Sequence, residues 1–169
     1  RALEIVANRL DEALRGGNVA LGAQNVYPEK EGAFTGEVSP PMLLDAGCRY
    51  VIVGHSERRQ VFGETDELIA EKVGAALKSK LVPIVCIGET LAERKSGRTL
   101  TVIERQLRSF LGVIAASDTA VAIAYEPVWA IGTGKSATPE IAAEAHAFIR
   151  RLLSERLGPE VAEARDLVG

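Results

Sequence analysis

Ala120-Val121-Ala122-Ile123-Ala124-Tyr125-Glu126-Pro127-Val128-Trp129-Ala130-Ile131-Gly132-Thr133-Gly134-Lys135 is the stretch on which the fold turns. Its first five residues are apolar without alternation, the pattern of a strand covered on both faces. Such a strand belongs to a parallel sheet wrapped by helices. At its exit stands one carboxylate, Glu126. A short apolar run, Val128 to Ile131, then lies between Pro127, which fixes its own φ, and Gly132-Thr133-Gly134, where glycine absorbs large dihedral changes. A stiff apolar middle between compliant ends suits a lid hinged over a site, and equally a surface loop with a buried tryptophan.

Three segments upstream repeat the strand pattern: Val19 to Asn25, Arg49 to Gly54 and Val82 to Glu89, the last with Pro83 near its start, where a missing donor matters least. Helical periodicity fills the gaps. Leu3, Val6, Leu10 and Leu14 mark a helix over Arg1 to Arg15 that Gly16-Gly17 stop. Ser39 or Pro40 starts a short helix that Gly47 closes, and Thr65 or Asp66 caps one with Ile69, Val73, Ala76 and Leu77 inside. A polar turn from Glu93 to Arg98 precedes a helix facing inward through Ile103, Leu107, Phe110 and Ile114. Thr138 and Pro139 open the last long helix, with Ile141, Ala145, Phe148 and Leu152 as its expected buried face. Arg165 to Val168 reads as the opening of a fifth strand. The order is α, then βα four times, an α/β chain with a parallel sheet.

Composition narrows the function classes. At 169 residues and 47% hydrophobic, the chain has ample material for one core. The net charge of −3 is mild and the 20 basic residues are dispersed, with no basic stripe interleaved with aromatics, which argues against nucleic acid. No apolar run approaches the roughly 18 residues of a membrane span. Cys48 and Cys86 occupy different strands with no metal spacing near either, as expected of two buried reduced thiols in a cytoplasmic protein.

In parallel sheets the chemistry sits at the strands' C-terminal ends. Here those ends carry Gln24-Asn25, His55-Ser56-Glu57, Glu89 and Glu126. Glu126 leaves a buried strand into an apolar loop, and desolvation raises a carboxylate's pKa toward that of a general base; a surface ion pair is the bland alternative. His55 ends a strand just before a possible helical turn, Ser56 to Arg59, whose free N–H groups can donate to the ring. A donor aimed at one ring nitrogen disfavours the imidazolium and leaves the other as a neutral N–H donor, an electrophile rather than a base. Glu57 either neutralises a cation at the rim or pairs with Arg58 or Arg59. His146, mid-helix, reads as a packing or surface residue. Gly132 to Ser136 looks like the tail of a P-loop but fails as one, because Trp129 stands where the first glycine belongs and the helix begins only after Thr138.

These segments together resemble the triosephosphate isomerase family. The resemblance rests on Gly22 to Asn25, Gly32 to Glu37, Val53 to Arg59, Cys86 to Glu89 and Ala124 to Lys135, in the family's order and at about its spacing. It implies a (β/α)8 TIM barrel, here about four to five parallel strands of an incomplete one, and residues 1–169 as a single domain running from the second helix to the start of the seventh strand. It implies Glu126 as catalytic base and His55 as hydrogen-bond donor to an enediolate, with Ser56 and Glu57 supporting. Gly132 would bind the substrate phosphate through its backbone N–H. Pro127, Val128, Trp129, Ala130, Ile131, Gly132, Thr133, Gly134 and Lys135 would form the lid. The reaction implied interconverts dihydroxyacetone phosphate and glyceraldehyde 3-phosphate without a metal or organic cofactor. The loop from Glu29 to Glu37, with Phe34, Thr35, Gly36 and Glu37 at its tip, would reach into the partner of a homodimer.

The family's first strand, with an asparagine and a catalytic lysine, has no counterpart here, nor do the serine and paired glycines of its last strands. The 169-residue chain alone is therefore expected to be inactive, and a non-catalytic barrel fragment is the alternative reading. A Schiff-base aldolase on the same barrel fails, because no lysine stands at a strand end.

Overall fold

A computed structural model describes residues 2–9, 19–131, 133–134, 136–158 and 167–168. Five strands appear among them: β1 (Leu21–Ala23), β2 (Cys48–Val53), β3 (Val82–Ile87), β4 (Ala122–Tyr125) and β5 (Leu167–Val168). The helices are α1 (Ala2–Arg9), α2 (Pro40–Asp45), α3 (Ser56–Gln60), α4 (Asp66–Lys78), α5 (Leu91–Lys95), α6 (Thr99–Ala115) and α7 (Pro139–Leu157). The strands pair in parallel in the order β1-β2-β3-β4-β5, each with its neighbour in sequence. Parallel crossovers are right-handed as a rule, and with the described strands in unreversed sequence order that rule puts the helices on one side, the winding of a barrel wall rather than of a doubly wound sheet.

Strand chemistry follows from that one-sided cover. Val51, Val53, Val85, Ile87 and Ile123 face the helices and are buried. Tyr50, Ile52, Val82, Ile84, Ala122 and Ala124, which pair in register across the other face, are only half-buried. Continuous apolar strands suggested burial on both faces; among the described residues the helices bury one. The predicted inward stripes of α4 and α6 hold: Ile69, Val73, Ala76 and Leu77, then Ile103, Leu107, Phe110 and Ile114, are all buried against the sheet.

Three expectations change. The turn expected over Glu93 to Arg98 begins as α5, closed by a capping box in which Thr90 Oγ1 accepts from Glu93 N–H and the Glu93 carboxylate accepts from Thr90 N–H. In α7, Ala145 and Leu152 face inward as expected and are joined by Ile149 and Leu153, while Ile141 and Phe148 lie half-buried at the margin of that face. In α1, Leu3 and Ala7 pack toward the core while Val6 is exposed, and Leu10 and Leu14 lie outside the described residues. The starts at Thr65 and Thr138 stand, Thr65 accepting from Leu68 N–H at 3.3 Å. The two cysteines are free and buried.

Candidate active site

β2 and β4 deliver the two central groups. β2 ends at Val53, Gly54 turns the chain with φ +76°, and His55 becomes the N-cap of α3. Its Nδ1 accepts a hydrogen bond from the backbone N–H of Glu57 at 3.3 Å, one of the donors that a helix start leaves free. With Nδ1 accepting, the ring proton of the neutral imidazole sits on Nε2. That nitrogen lies 3.0 Å from Glu126 Oε1.

Glu126 is the first residue past β4, and its N–H donates to Ile87 O at 2.8 Å, extending the β3–β4 ladder by one bond. Its carboxylate is 14% exposed and doubly held by Ser56, whose N–H reaches Oε2 at 2.9 Å and whose hydroxyl donates to Oε1 at 2.8 Å. Two side chains 71 positions apart in sequence, His55 and Glu126, thus meet at one rim through Ser56. Glu57 contributes its backbone; its side chain is 74% exposed, 4.0 Å from His55 Nδ1. The arginines beside it are engaged elsewhere, Arg58 with Glu64 and Arg59 with Asp66.

The other strand-end polar groups do not join this pair. Asn25 accepts from Lys72 Nζ at 2.8 Å. Glu89 is fully buried and binds the loop after Glu126: it accepts from Trp129 Nε1 at 2.9 Å, from Tyr125 Oη at 3.0 Å and from Arg94 Nη1 at 3.0 Å. Arg94 also stacks over the indole, 4.6 Å from its centroid. Burial and the facing Glu89 carboxylate push the Tyr125 phenol up, so it remains a donor. The loop itself is a run of tight turns, with Ala130 N–H on Pro127 O at 2.8 Å and Ile131 N–H on Val128 O at 3.3 Å. Thr133 Oγ1 donates back to Trp129 O at 3.0 Å, and Gly134 takes φ +71°. Gly132 and Lys135 lie outside the described residues.

Three groups around the pair escaped the sequence reading. Arg59 donates to Gly54 O at 2.8 Å and Cys86 O at 3.3 Å, tying the exits of β2 and β3 together while paired with Asp66. Gly88 has no room for a side chain, since a Cβ there would lie 1.8 Å from Glu126 O. Gln106 holds both polar atoms of Gly88's backbone. The signal available was an amide inside an otherwise apolar stripe, which must find a partner when buried. Cys86, close by, has its thiol pushed up to about 12, chiefly by burial and then by the Glu126 charge.

Comparison with known proteins bears on the family. The family model described as triosephosphate isomerase matches residues 3–168. The triosephosphate isomerase of Carboxydothermus hydrogenoformans is 60% identical over 153 residues, covering 90% of this chain and 61% of that protein. Those of Citrifermentans bemidjiense and Endomicrobium trichonymphae are 58% and 50% identical, over 91% and 97% of this chain and 62% and 66% of theirs. The chain thus spans about three fifths of the length of these curated relatives. With a family match running almost end to end and a parallel sheet wound as a barrel wall, the chain belongs to the triosephosphate isomerase family of TIM barrels.

Proposed function

We propose that the protein containing this chain is a triose-phosphate isomerase that interconverts dihydroxyacetone phosphate and D-glyceraldehyde 3-phosphate through an enediolate. The observation that carries this is a histidine whose Nε2 lies 3.0 Å from a glutamate oxygen while its Nδ1 is occupied by a backbone donor. Glu126 takes the proton from the carbon beside the carbonyl, and His55 donates from Nε2 to the developing enediolate oxygen. For this the substrate must part the pair, and Glu126 must leave the hydroxyl of Ser56. The proton then returns to the neighbouring carbon.

The loop from Pro127 to Lys135 is the proposed lid, Gly132 its phosphate donor, and the apolar run from Val128 to Ile131 the part that excludes water. The proposed homodimer is supported by exposed apolar side chains: Phe34, Val38, Met42, Val61 and Phe62 are all solvent-facing, and Phe34 and Met42 line one small cavity. The chemistry needs no metal or organic cofactor. The setting is cytoplasmic, in glycolysis and gluconeogenesis, with residues 1–169 one domain from the middle of the barrel.

The test is Glu126→Asp in the full-length protein, followed by a coupled isomerase assay. Drawing the carboxylate back by one methylene should cost about 10²-fold in turnover, the scale of an ångström's misplacement, with the thermal midpoint nearly unchanged. Unchanged turnover would remove Glu126 as the base.

A further inference from the structure

We propose that Gln106 is a positioning residue for the Glu126 base, acting through the peptide of Gly88; the proposal rests on the isomerase reading. Gln106 sits on the inward face of α6 between Ile103 and Phe110 and is 4% exposed. Its amide spends both arms on one residue. Oε1 accepts from Gly88 N–H at 2.8 Å, and Nε2 donates to Gly88 O at 3.2 Å.

Gly88 lies one residue past the end of β3, beyond the regular ladder, so its backbone height is not set by strand pairing. Glu126 rests against it: the space of a Gly88 Cβ is filled by Glu126 O and, at 2.7 Å, Glu126 C. Ile87 O, one residue earlier, accepts from Glu126 N–H. The residue after Gly88 is Glu89, which binds Tyr125, the last residue of β4, and Trp129, three residues past Glu126. One side chain on α6 therefore fixes the peptide on which the base leans and from which the lid anchor springs. A reaction that depends on placing a carboxylate within a fraction of an ångström is sensitive to that peptide. Mere satisfaction of a buried amide would show in stability alone.

The test uses the full-length protein with Gln106→Met, which keeps the length and loses both arms, and Gln106→Glu. Leu107→Ala serves as the control, a cavity opened on the same helix in the apolar core, with no hydrogen bond removed. Gln106→Met should lower kcat about 10- to 100-fold, with KM within about threefold, while Leu107→Ala lowers the thermal midpoint and leaves kcat within about twofold at temperatures where it is folded. Gln106→Glu should lose kcat at pH 8 and regain it relative to wild type toward pH 5.5, because the protonated acid again both accepts and donates. A folded Gln106→Met with kcat within twofold of wild type overturns the proposal. If Gln106→Met does not fold, a flat pH ratio for Gln106→Glu overturns it instead.

A wild-type protein without isomerase activity would sink the isomerase reading by itself. The clamp is then read from the indole N–H resonance of Trp129, assigned by its loss in Trp129→Phe. Movement of that resonance in Gln106→Met but not in Leu107→Ala supports the clamp, and a fixed resonance overturns it.

Discussion

His55 shows how much a single hydrogen bond decides. Because Glu57 N–H donates to Nδ1, the ring should hold its proton on Nε2 while neutral, and protonation would break the bond as well as add charge. We expect ¹⁵N spectra of the imidazole, recorded where the ring carries one proton, to show the Nε2–H tautomer; an Nδ1–H tautomer would remove His55 as the donor. Gly88 gives a second residue-scale prediction. Adding a methyl group forces either β3's exit or the Glu126 backbone to move, so Gly88→Ala should destabilise the fold by about 1–3 kcal/mol, as overpacking does, and lower turnover as well. Full activity with an unchanged thermal midpoint would contradict the contact. The first effect rests on a bond between residues two apart and the second on backbones distant in sequence, which is why only the first was legible beforehand. His55 before a possible helical turn could be read locally; the pressure of Glu126 on Gly88 could not, since nothing in Cys86-Ile87-Gly88-Glu89 says which strand lies alongside.

At the scale of elements, strands and helix starts were legible because their signals are local: β-branched runs, Thr65 as cap, Pro139 in a first turn. The inward face of α7 was legible only in part. Alanines at 142, 143, 145 and 147 leave its apolar stripe broad, so packing against β4 and α6 decided that Ile149 and Leu153 turn inward. Glu89 was misread for a related reason. A carboxylate at a strand end looks like a rim group, yet Tyr125, Trp129 and Arg94 draw it fully inside. It anchors the loop instead. Trp129→Phe removes one of those donors while keeping most of the ring, so it should cost about 1–2 kcal/mol and raise the loop's amide exchange rates from 128 to 131. Exchange at the wild-type rate would mean that the loop is held by its turns alone.

Across the whole molecule the least expected feature is a buried ion network. Glu64 and Lys72 are both nearly inaccessible, bonded to each other and joined by Arg58 and Asn25. Burial alone would raise the Glu64 carboxyl, but hydrogen bonds from Lys72 and Arg58 and their charges outweigh it and hold the pKa below the usual carboxylate range. A carboxyl lowered by folding adds stability above its unfolded pKa and loses it as pH falls through the folded one. Acid unfolding should accordingly steepen below about pH 4, and Glu64→Gln should flatten that limb. Lys72→Met, which leaves Glu64 to Arg58 alone and takes the donor from Asn25, should cost about 1–3 kcal/mol at neutral pH; an unchanged stability would show that Arg58 alone compensates the carboxylate.

The sequential strand order has a consequence for how the chain acquires its structure. Among the described residues no strand waits for a distant one: each pairing closes a loop of a single βα unit, so the entropic cost of every step is set locally and grows only logarithmically with that unit's length. His55 and Glu126 come together only after β2–β3 and β3–β4 have both formed, because β3 separates their strands. The approach of those two side chains is then a late event in folding, and a probe at either one reports the completion of three strands at once.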